Sequence, residues 1–511
     1  MTRRDWIATA AIAAAFAAAV VLVDPRGNFP LDDDWDFTLT TWNLVQTGTI
    51  QHTPFTSAVA VLQYLWGALW TVVFGMSCTV LRASTLSLSL ATTLLVYRIL
   101  RRLVVRETLA LFAALAFFFH PLIFWASFTY MTHIPELFLS VAAFAMFVEA
   151  YRRERDAWIA AAAIVAIASF FVRQIGILNA VAPLIAVSWL RPVRWKAFAA
   201  WYGAAVALFA VLMASGMLIV SQQEAGFHKP PSGINLILGA LHYGFFNVQY
   251  ATLFFLPLVL CLVPAISRSS AGRIGGVTLW FGAIAAHMLW LRRPIPYPAR
   301  GNVFINFTLG PPTLRDTFVF LRPYPFHVAY GWLIALMIAT TLLAILLLSS
   351  KTSQSLEARV ALIYCICGTL IYMFQRIYFD RYSIDAMWPL AILIPLSIAR
   401  VPKIGVAALA IVAVFAVSGT AEYLSWNRAR WSGYRWLQSR GVTLDQMDGG
   451  YEINALLAVQ RGRKDLGKPG FGVVDDRYIL AFGDVPGYRT IARFPYHRLL
   501  GRDGEVRVLA R

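Results

Sequence analysis

Apolar residues along this chain fall into long unbroken runs, and the polar residues are confined to the joints between them. Neither the alternation of a half-buried strand nor the one-sided stripe of a soluble helix describes that pattern. A first run from about Trp6 to Val23 follows Arg3 and Arg4 and nearly matches the ~20 residues a helix needs to cross a bilayer core. Further runs at about 79–99, 108–126, 134–149, 157–172, 176–190, 197–220, 246–266, 274–291, 327–349, 358–375, 383–399 and 404–421 predict about thirteen transmembrane helices in all. With the N-terminus in the cytoplasm, the cytoplasmic joints read Arg98/Arg101/Arg102/Arg106, Arg152/Arg153/Arg155, Arg191/Arg194/Lys196, Arg268/Arg273, Lys351/Arg359 and Arg400/Lys403. Each carries the basic residues that the positive-inside rule requires. An odd number of spans then puts the C-terminus outside. A cleaved signal peptide also fits a basic start and an apolar run, but the length of the run favours a retained span.

Three segments expected outside are long enough to matter: about 24–78, 221–245 and 292–326, the last rich in Pro and Arg. Within the first, residues 58–75 carry Tyr64, Trp66, Trp70 and Phe74 and could pass for another crossing. Counting it would reverse every later joint and break the basic pattern, so it reads as an interfacial helix at headgroup depth. From about 422 to 511 the apolar density falls, Gly and charge rise, and β-like runs occur near 471–482, 488–494 and 506–509. The expected organisation is a membrane domain over 1–421, with its first outer loop at 24–78, and a small α/β extracytoplasmic domain over 422–511.

Composition agrees with that picture. Hydrophobic residues make up 59% of the 511 and charged residues only 14%, with mean hydropathy +0.63. The net charge of +18 is dispersed among the joints, which topology explains and nucleic-acid binding does not. Cys78 and Cys261 stand alone, and Cys365 and Cys367 lie inside an apolar run, so no disulfide framework or zinc spacing is present. No structural metal is expected and no cofactor is required, with an assisting divalent ion left open but not indicated by any spacing.

The chemistry concentrates in Asp32, Asp33, Asp34 and Asp36, just beyond the first run. Carboxylates crowded at a bilayer surface are costly unless something uses them. The plain structural use is an acidic N-terminal cap of the following helix, which would occupy one of them. The acidic pair is followed by an aromatic at Phe37, a helix-like stretch ending at Gly48, and an aromatic helix closing at Phe74-Gly75. Farther on come Leu81-Arg82, the stretch 128–138, Arg173-Gln174 between two short runs, and Phe379-Asp380-Arg381-Tyr382 before a Pro-containing run. This order resembles the GT-C membrane glycosyltransferases, in particular the aminoarabinose transferase and protein O-mannosyltransferase group.

The resemblance implies an inverting transfer of a sugar from a polyprenyl-phosphate donor to a lipid, glycan or protein acceptor in the periplasm, by a multi-pass protein of a bacterial inner membrane. It puts Asp33 in the place of the general base, with Asp34 orienting acceptor or base. Arg381 and Tyr382 take the place of the lipid-phosphate contact, and Arg173 with Gln174 that of a further phosphate or sugar contact. Relatives carry a second acid near the fourth run. Here His133 stands at that position and Glu136 follows nearly one turn on. The lysine of the lipid A enzymes' interfacial helix has no counterpart. Buried pairing of Arg173 with Glu136 or the Asp cluster, and of Arg381 with Asp380 or Asp385, are the structural alternatives. The run Met447-Asp448-Gly449-Gly450-Tyr451-Glu452 reads as a turn opening a helix. Two other functions fit the same skeleton: a flippase or transporter for a lipid-linked sugar, and a catalytically silent membrane scaffold.

Overall fold

The computed structural model describes residues 2–219, 233, 250, 253–262, 303–305, 308–318, 355–372, 379–462, 473 and 475–511. It is a multi-pass helical membrane protein with a small mixed sheet near the C-terminus. The N-terminal half contains helices α1 (Arg3–Val23), α2 (Asp34–Thr47), α3 (Val61–Phe74), α4 (Cys78–Arg102), α5 (Glu107–Phe118), α6 (Pro121–Ser127), α7 (His133–Arg153), α8 (Asp156–Phe170), α9 (Leu178–Leu190) and α10 (Trp195–Ala214). Beyond them lie a short antiparallel pair, β1 (Phe304–Ile305) and β2 (Thr308–Leu309), and the helices Leu356–Ile371, Tyr382–Met387, Leu390–Leu396 and Lys403–Gln438.

Among the described residues, five helices are long and apolar enough to cross a bilayer: α1, α4, α7, α10 and Lys403–Gln438. The pair α5 and α6, bent by 65°, makes a sixth if counted as one broken span. Thirteen were expected. The runs at 274–291 and 327–349, and nearly half of 246–266, lie outside the described residues, as do most of the outer segments 221–245 and 292–326. Other expected crossings are shorter helices, notably Asp156–Phe170, Gln174–Leu190 and Tyr382–Leu396. Local chemistry explains the breaks. Pro121 occupies the first turn of α6 after His120, and a proline there starts a helix where the preceding one must stop. Pro389 likewise divides the 383–399 run into two helices.

The expected interfacial helix is α3, whose Leu65, Leu69, Val72, Val73 and Phe74 face outward while Gln63, Tyr64, Gly67 and Thr71 pack inward. The sequence boundary at 421/422 falls in the middle of the 36-residue helix Lys403–Gln438, which continues past its apolar half. That second half carries a four-stranded sheet of order β3-β4-β6-β5, with β3 (Met447–Asp448), β4 (Tyr478–Ala481), β5 (Arg489–Tyr496) and β6 (Gly504–Ala510). Only the β3/β4 pair is parallel. Trp436 packs edge-on against Phe494 and Trp426 against Phe482, so the sheet is seated on the helix by aromatic contacts.

Charged residues sort to the two ends of the bundle. At one end Arg101 pairs with Asp5, Arg102 approaches Glu149, Arg152 approaches Glu357, and Arg194 pairs with Asp156. The other end gathers the 24–36 loop, the starts of α2 and α7, the turn after α8, the start of Tyr382–Met387 and the second half of Lys403–Gln438. Arg82, buried at the start of α4, ties this end together by donating to the carbonyls of Pro25, Gly27 and Phe29.

Candidate active site at the Asp32–Asp36 loop

Four neighbouring carboxylates cannot share one role, and the structure divides them. Asp34 turns inward, where its Oδ1 accepts from the Leu31 amide (2.5 Å) and its Oδ2 from the Tyr130 amide (3.0 Å). Burial pushes its carboxyl up to about 7, against the pull of Arg82 and of these two amides. Asp36 is also buried and accepts from Thr53 Oγ1 (2.5 Å) and Thr56 Oγ1 (3.2 Å), fixing the loop after α2. It too is pushed up to about 7 by burial.

Asp32 and Asp33 face Arg381. Arg381 Nη1 donates to Asp32 Oδ2 (2.6 Å) and its Nη2 to Asp33 Oδ2 (2.7 Å), so one guanidinium forks across two carboxylates. The Arg381 side chain is 7% exposed and that of Asp32 8%, but that of Asp33 is 28%. Burial first and the neighbouring Asp33 second hold the Asp32 carboxyl well above its ordinary range, with Arg381 opposing them. Asp33 occupies the N-cap position of α2, yet its side chain caps no helix amide. The capping alternative therefore does not account for it.

Other segments hold this arrangement. Asp32 adopts a left-handed backbone (φ 53°), which costs a residue with a Cβ about 1 kcal/mol or more. Its amide donates to Glu452 Oε1 (2.9 Å). Tyr451 Oη donates to Asp33 Oδ1 (2.6 Å). Glu452 in turn accepts from Arg430 Nη1 (2.6 Å) and Thr313 Oγ1 (3.0 Å), and both Arg430 and Glu452 are fully buried. The Asp-Gly-Gly-Tyr-Glu run is thus a turn opening the helix Tyr451–Gln460, as its glycines suggest, and that helix begins against the Asp cluster. Gly450 has φ +92°, and a Cβ there would lie 3.0 Å from the Thr313 carbonyl and 3.1 Å from Arg430 Nη1. No residue with a side chain fits that turn without moving the buried pair. On the opposite side, Asp380 accepts from the amides of Val303 (3.0 Å) and Phe304 (2.6 Å), fastening β1 to the turn that carries Arg381.

The remaining expected residues form a second, deeper group. Arg173 pairs with Asp385, and its Nη1 lies 2.6 Å from His133 Nδ1, which is itself 3.4 Å from Asp385 Oδ1. Asp385 also accepts from Tyr372 Oη (3.0 Å). Tyr382 lies between the groups: its ring stacks on Tyr372 at 4.9 Å, and the Arg173 guanidinium sits 5.7 Å from its centroid. Glu136 is buried and accepts from Ser140 Oγ (2.5 Å). Gln174 donates to the Leu218 carbonyl (2.5 Å). So Arg173 pairs with Asp385 instead of Glu136 or the Asp cluster, and Arg381 pairs with Asp32 and Asp33 instead of Asp380 or Asp385. Tyr451, Glu452 and Arg430 are site residues that the sequence did not single out as such.

These features define a helical membrane protein with a carboxylate–guanidinium site at one end of its bundle. No known family profile matches the chain, and no curated protein sequence matches it. Among solved structures it is similar to ArnT from Cupriavidus metallidurans in the apo state, with 13% identity, 98% of each chain covered and a TM-score of 0.42. The same enzyme bound to undecaprenyl phosphate gives 12% identity over 99% of this chain and 98% of that one, again with a TM-score of 0.42. The archaeal oligosaccharyltransferase AglB from Archaeoglobus fulgidus, in complex with an inhibitory peptide and a dolichol-phosphate, gives 16% identity and a TM-score of 0.40. In that case 83% of this chain covers 58% of the other. Likeness at these identities is one of overall architecture and speaks to no residue.

Proposed function

We propose that this protein is an integral-membrane glycosyltransferase of the GT-C type, which moves a sugar from a polyprenyl-phosphate carrier to an acceptor on the periplasmic side of a bacterial inner membrane. In the reaction, the acceptor hydroxyl gives its proton to the Asp33 carboxylate as its oxygen bonds to the anomeric carbon. The bond between that carbon and the phosphate oxygen breaks on the opposite face, and its electron pair leaves with the polyprenyl phosphate, so configuration inverts. A neutral alcohol needs such a base because it does not ionise near neutral pH. Asp34, held by two amides, keeps the loop that presents Asp33 in register.

The observation that carries this reading is the exposure of Asp33. Of the two carboxylates on Arg381 it is the one that keeps an exposed face, while Asp34 and Asp36 are committed to loop contacts. A general base must reach its substrate, and a carboxylate oxygen already accepting one hydrogen bond has a second lone pair for the acceptor. Arg381, with Tyr382 beside it, is the cation available to the departing phosphate. Its charge is shared with Asp32 and Asp33. Arg173 and Gln174 contribute from the deeper group, with His133 and Glu136 behind them as the acceptor or second-acid positions.

A flippase would need ionisable groups spread along a path through the bilayer. The test is Asp33→Asn in the reconstituted full chain, with release of free polyprenyl phosphate and formation of a new glycoside followed by mass spectrometry. Loss of both products by a variant that still inserts and folds is expected. Wild-type transfer by this variant refutes the base, and translocation without a new glycosidic bond points to the flippase.

A further inference from the structure

We infer that the segment after the helix Lys403–Gln438 is a working part of the reaction site, with Tyr451 the positioning residue for the Asp33 carboxylate. This rests on Asp33 being the base. Tyr451 and Asp33 are 418 residues apart in sequence, yet their side chains meet at 2.6 Å. The neighbouring residue, Glu452, reaches across 420 residues to hold the amide of Asp32. Two consecutive residues of one helix thus grip two consecutive residues of the first loop, one by its side chain and the other by its strained backbone.

Each grip has a separate physical effect. An aspartate carboxylate can rotate about its Cβ–Cγ bond, and Arg381 on Oδ2 alone fixes one oxygen and leaves the plane free. Adding the Tyr451 phenol on Oδ1 fixes the second oxygen, so the lone pairs that face the acceptor keep one direction. Near-attack geometry of this kind carries much of an enzyme's advantage over solution. Glu452 acts one residue earlier. Its hold on the Asp32 amide keeps that residue left-handed, and the left-handed turn is what sets Asp32 and Asp33 on the two arms of one guanidinium. Glu452 is itself immobile, being locked by the buried Arg430 and by Thr313. The C-terminal segment therefore adds to the hold that Arg381 and the anchored Asp34 already give the base.

The experiment uses Tyr451→Phe, which keeps the ring and removes only the hydroxyl. The full-length variant, the wild type and Asp33→Asn are reconstituted in phosphatidylethanolamine/phosphatidylglycerol liposomes. A total extract of wild-type membranes supplies both the polyprenyl-phosphate-linked sugar donor and the hydroxyl-bearing acceptor, and release of free polyprenyl phosphate is the readout. For Tyr451→Phe we expect kcat to fall about tenfold, a fraction of the roughly 10²–10⁴ that general-base catalysis supplies. The donor KM and the thermal unfolding midpoint should stay at their wild-type values, because the phenol contacts the base and not the carrier. A wild-type or raised kcat overturns the inference, as does a loss that appears entirely in KM or follows a lowered unfolding midpoint. The two readings separate cleanly: an active Asp33→Asn removes the base itself, while an inactive Asp33→Asn beside a fully active Tyr451→Phe removes only the role of Tyr451.

Discussion

Replacing Arg381 by Gln leaves Asp32 and Asp33 facing each other without the cation between them, and one of the two is almost sealed from water. Two unit charges about 4 Å apart attract or repel by about 4 kcal/mol at an effective dielectric constant near 20. Removing one partner of a buried ion pair costs about 3–5 kcal/mol in practice. We expect a loss of that order at pH 8. The loss should shrink as pH falls, for a reason fixed by sign. Asp32 already binds its proton above the ordinary range because it is buried beside Asp33, and without Arg381 it binds the proton more tightly still. A carboxyl whose folded-state affinity is raised contributes most below its unfolded value near 3.8, and that contribution is lost as pH rises through the folded value. One proton changes stability by at most about 1.4 kcal/mol per pH unit, so the penalty of Arg381→Gln should fall between pH 8 and pH 5 by an amount bounded above at about 4 kcal/mol. Adding Asp32→Asn should restore part of the loss at pH 8 by removing the uncompensated carboxylate. Arg381→Lys should lie between, since an ammonium cannot fork across two carboxylates. Unfolding in mixed dodecyl-maltoside and SDS micelles, followed by tryptophan fluorescence at the two pH values, measures all three. A pH-independent penalty, or Asp32→Asn adding to the loss instead of relieving it, would show that Arg381 is not held by this pair.

Asp36 gives a contrasting case: its Oδ1 accepts two threonine hydroxyls while its Oδ2 has no hydrogen-bond partner among the described residues. A buried carboxyl raised from 3.8 to about 7 weakens the fold by on the order of 4 kcal/mol above pH 7, the weakening developing as pH rises from about 4 to 7. Asp36→Asn keeps the accepting oxygen and should flatten that part of the stability–pH curve, leaving the variant more stable than the wild type at pH 7.5, checked by thermal unfolding in detergent across the range. Gly368→Ala probes the deeper group. A Cβ there would lie 2.8 Å from Ala386 Cα, in the residue after Asp385, so the variant should lose about 1–3 kcal/mol by overpacking. The same unfolding titration reads it. Gly450→Ala should be worse tolerated than either, because its positive φ and its closeness to the Thr313 carbonyl act together. Its yield of folded protein in membranes, compared with that of Gly487→Ala, where φ is positive but no atom lies within 4 Å, isolates the steric part.

What the sequence made legible was whatever the chain writes locally. Runs of about twenty apolar residues announce α1, α4, α7 and α10 because a bilayer demands that length. A run of the same length at 108–126 hides a 65° bend, and the mark that could have revealed it is His120-Pro121, where one helix must end and another can begin. Hydropathy also ended the last span too early. The helix Lys403–Gln438 goes on for more than four turns past its apolar half because Trp426, Trp431 and Trp436 then find the loop and the sheet to pack against. Helical continuity and membrane burial are different properties, and composition reports only the second.

The site shows the same limit in its chemistry. Clustering of Asp32, Asp33, Asp34 and Asp36 was visible, but nothing in the cluster says which carboxylate keeps its water. That is decided by Tyr130, Arg381, Tyr451 and Glu452, which lie 96 to 420 residues from their partners. No period or spacing can encode such pairings. The glycines at 449 and 450 were readable as a turn, and what the turn is for could not be read, because its purpose is the buried Arg430–Glu452 pair it must clear. The division of the acids follows from elementary costs. A buried carboxylate is tolerated when amides, hydroxyls or a guanidinium meet it, so Asp34, Asp36 and Asp32 are each fixed by the partner they needed. Asp33, meeting its partners at the surface of the cluster, is fixed in direction without being sealed, and the role of base proposed for it requires both.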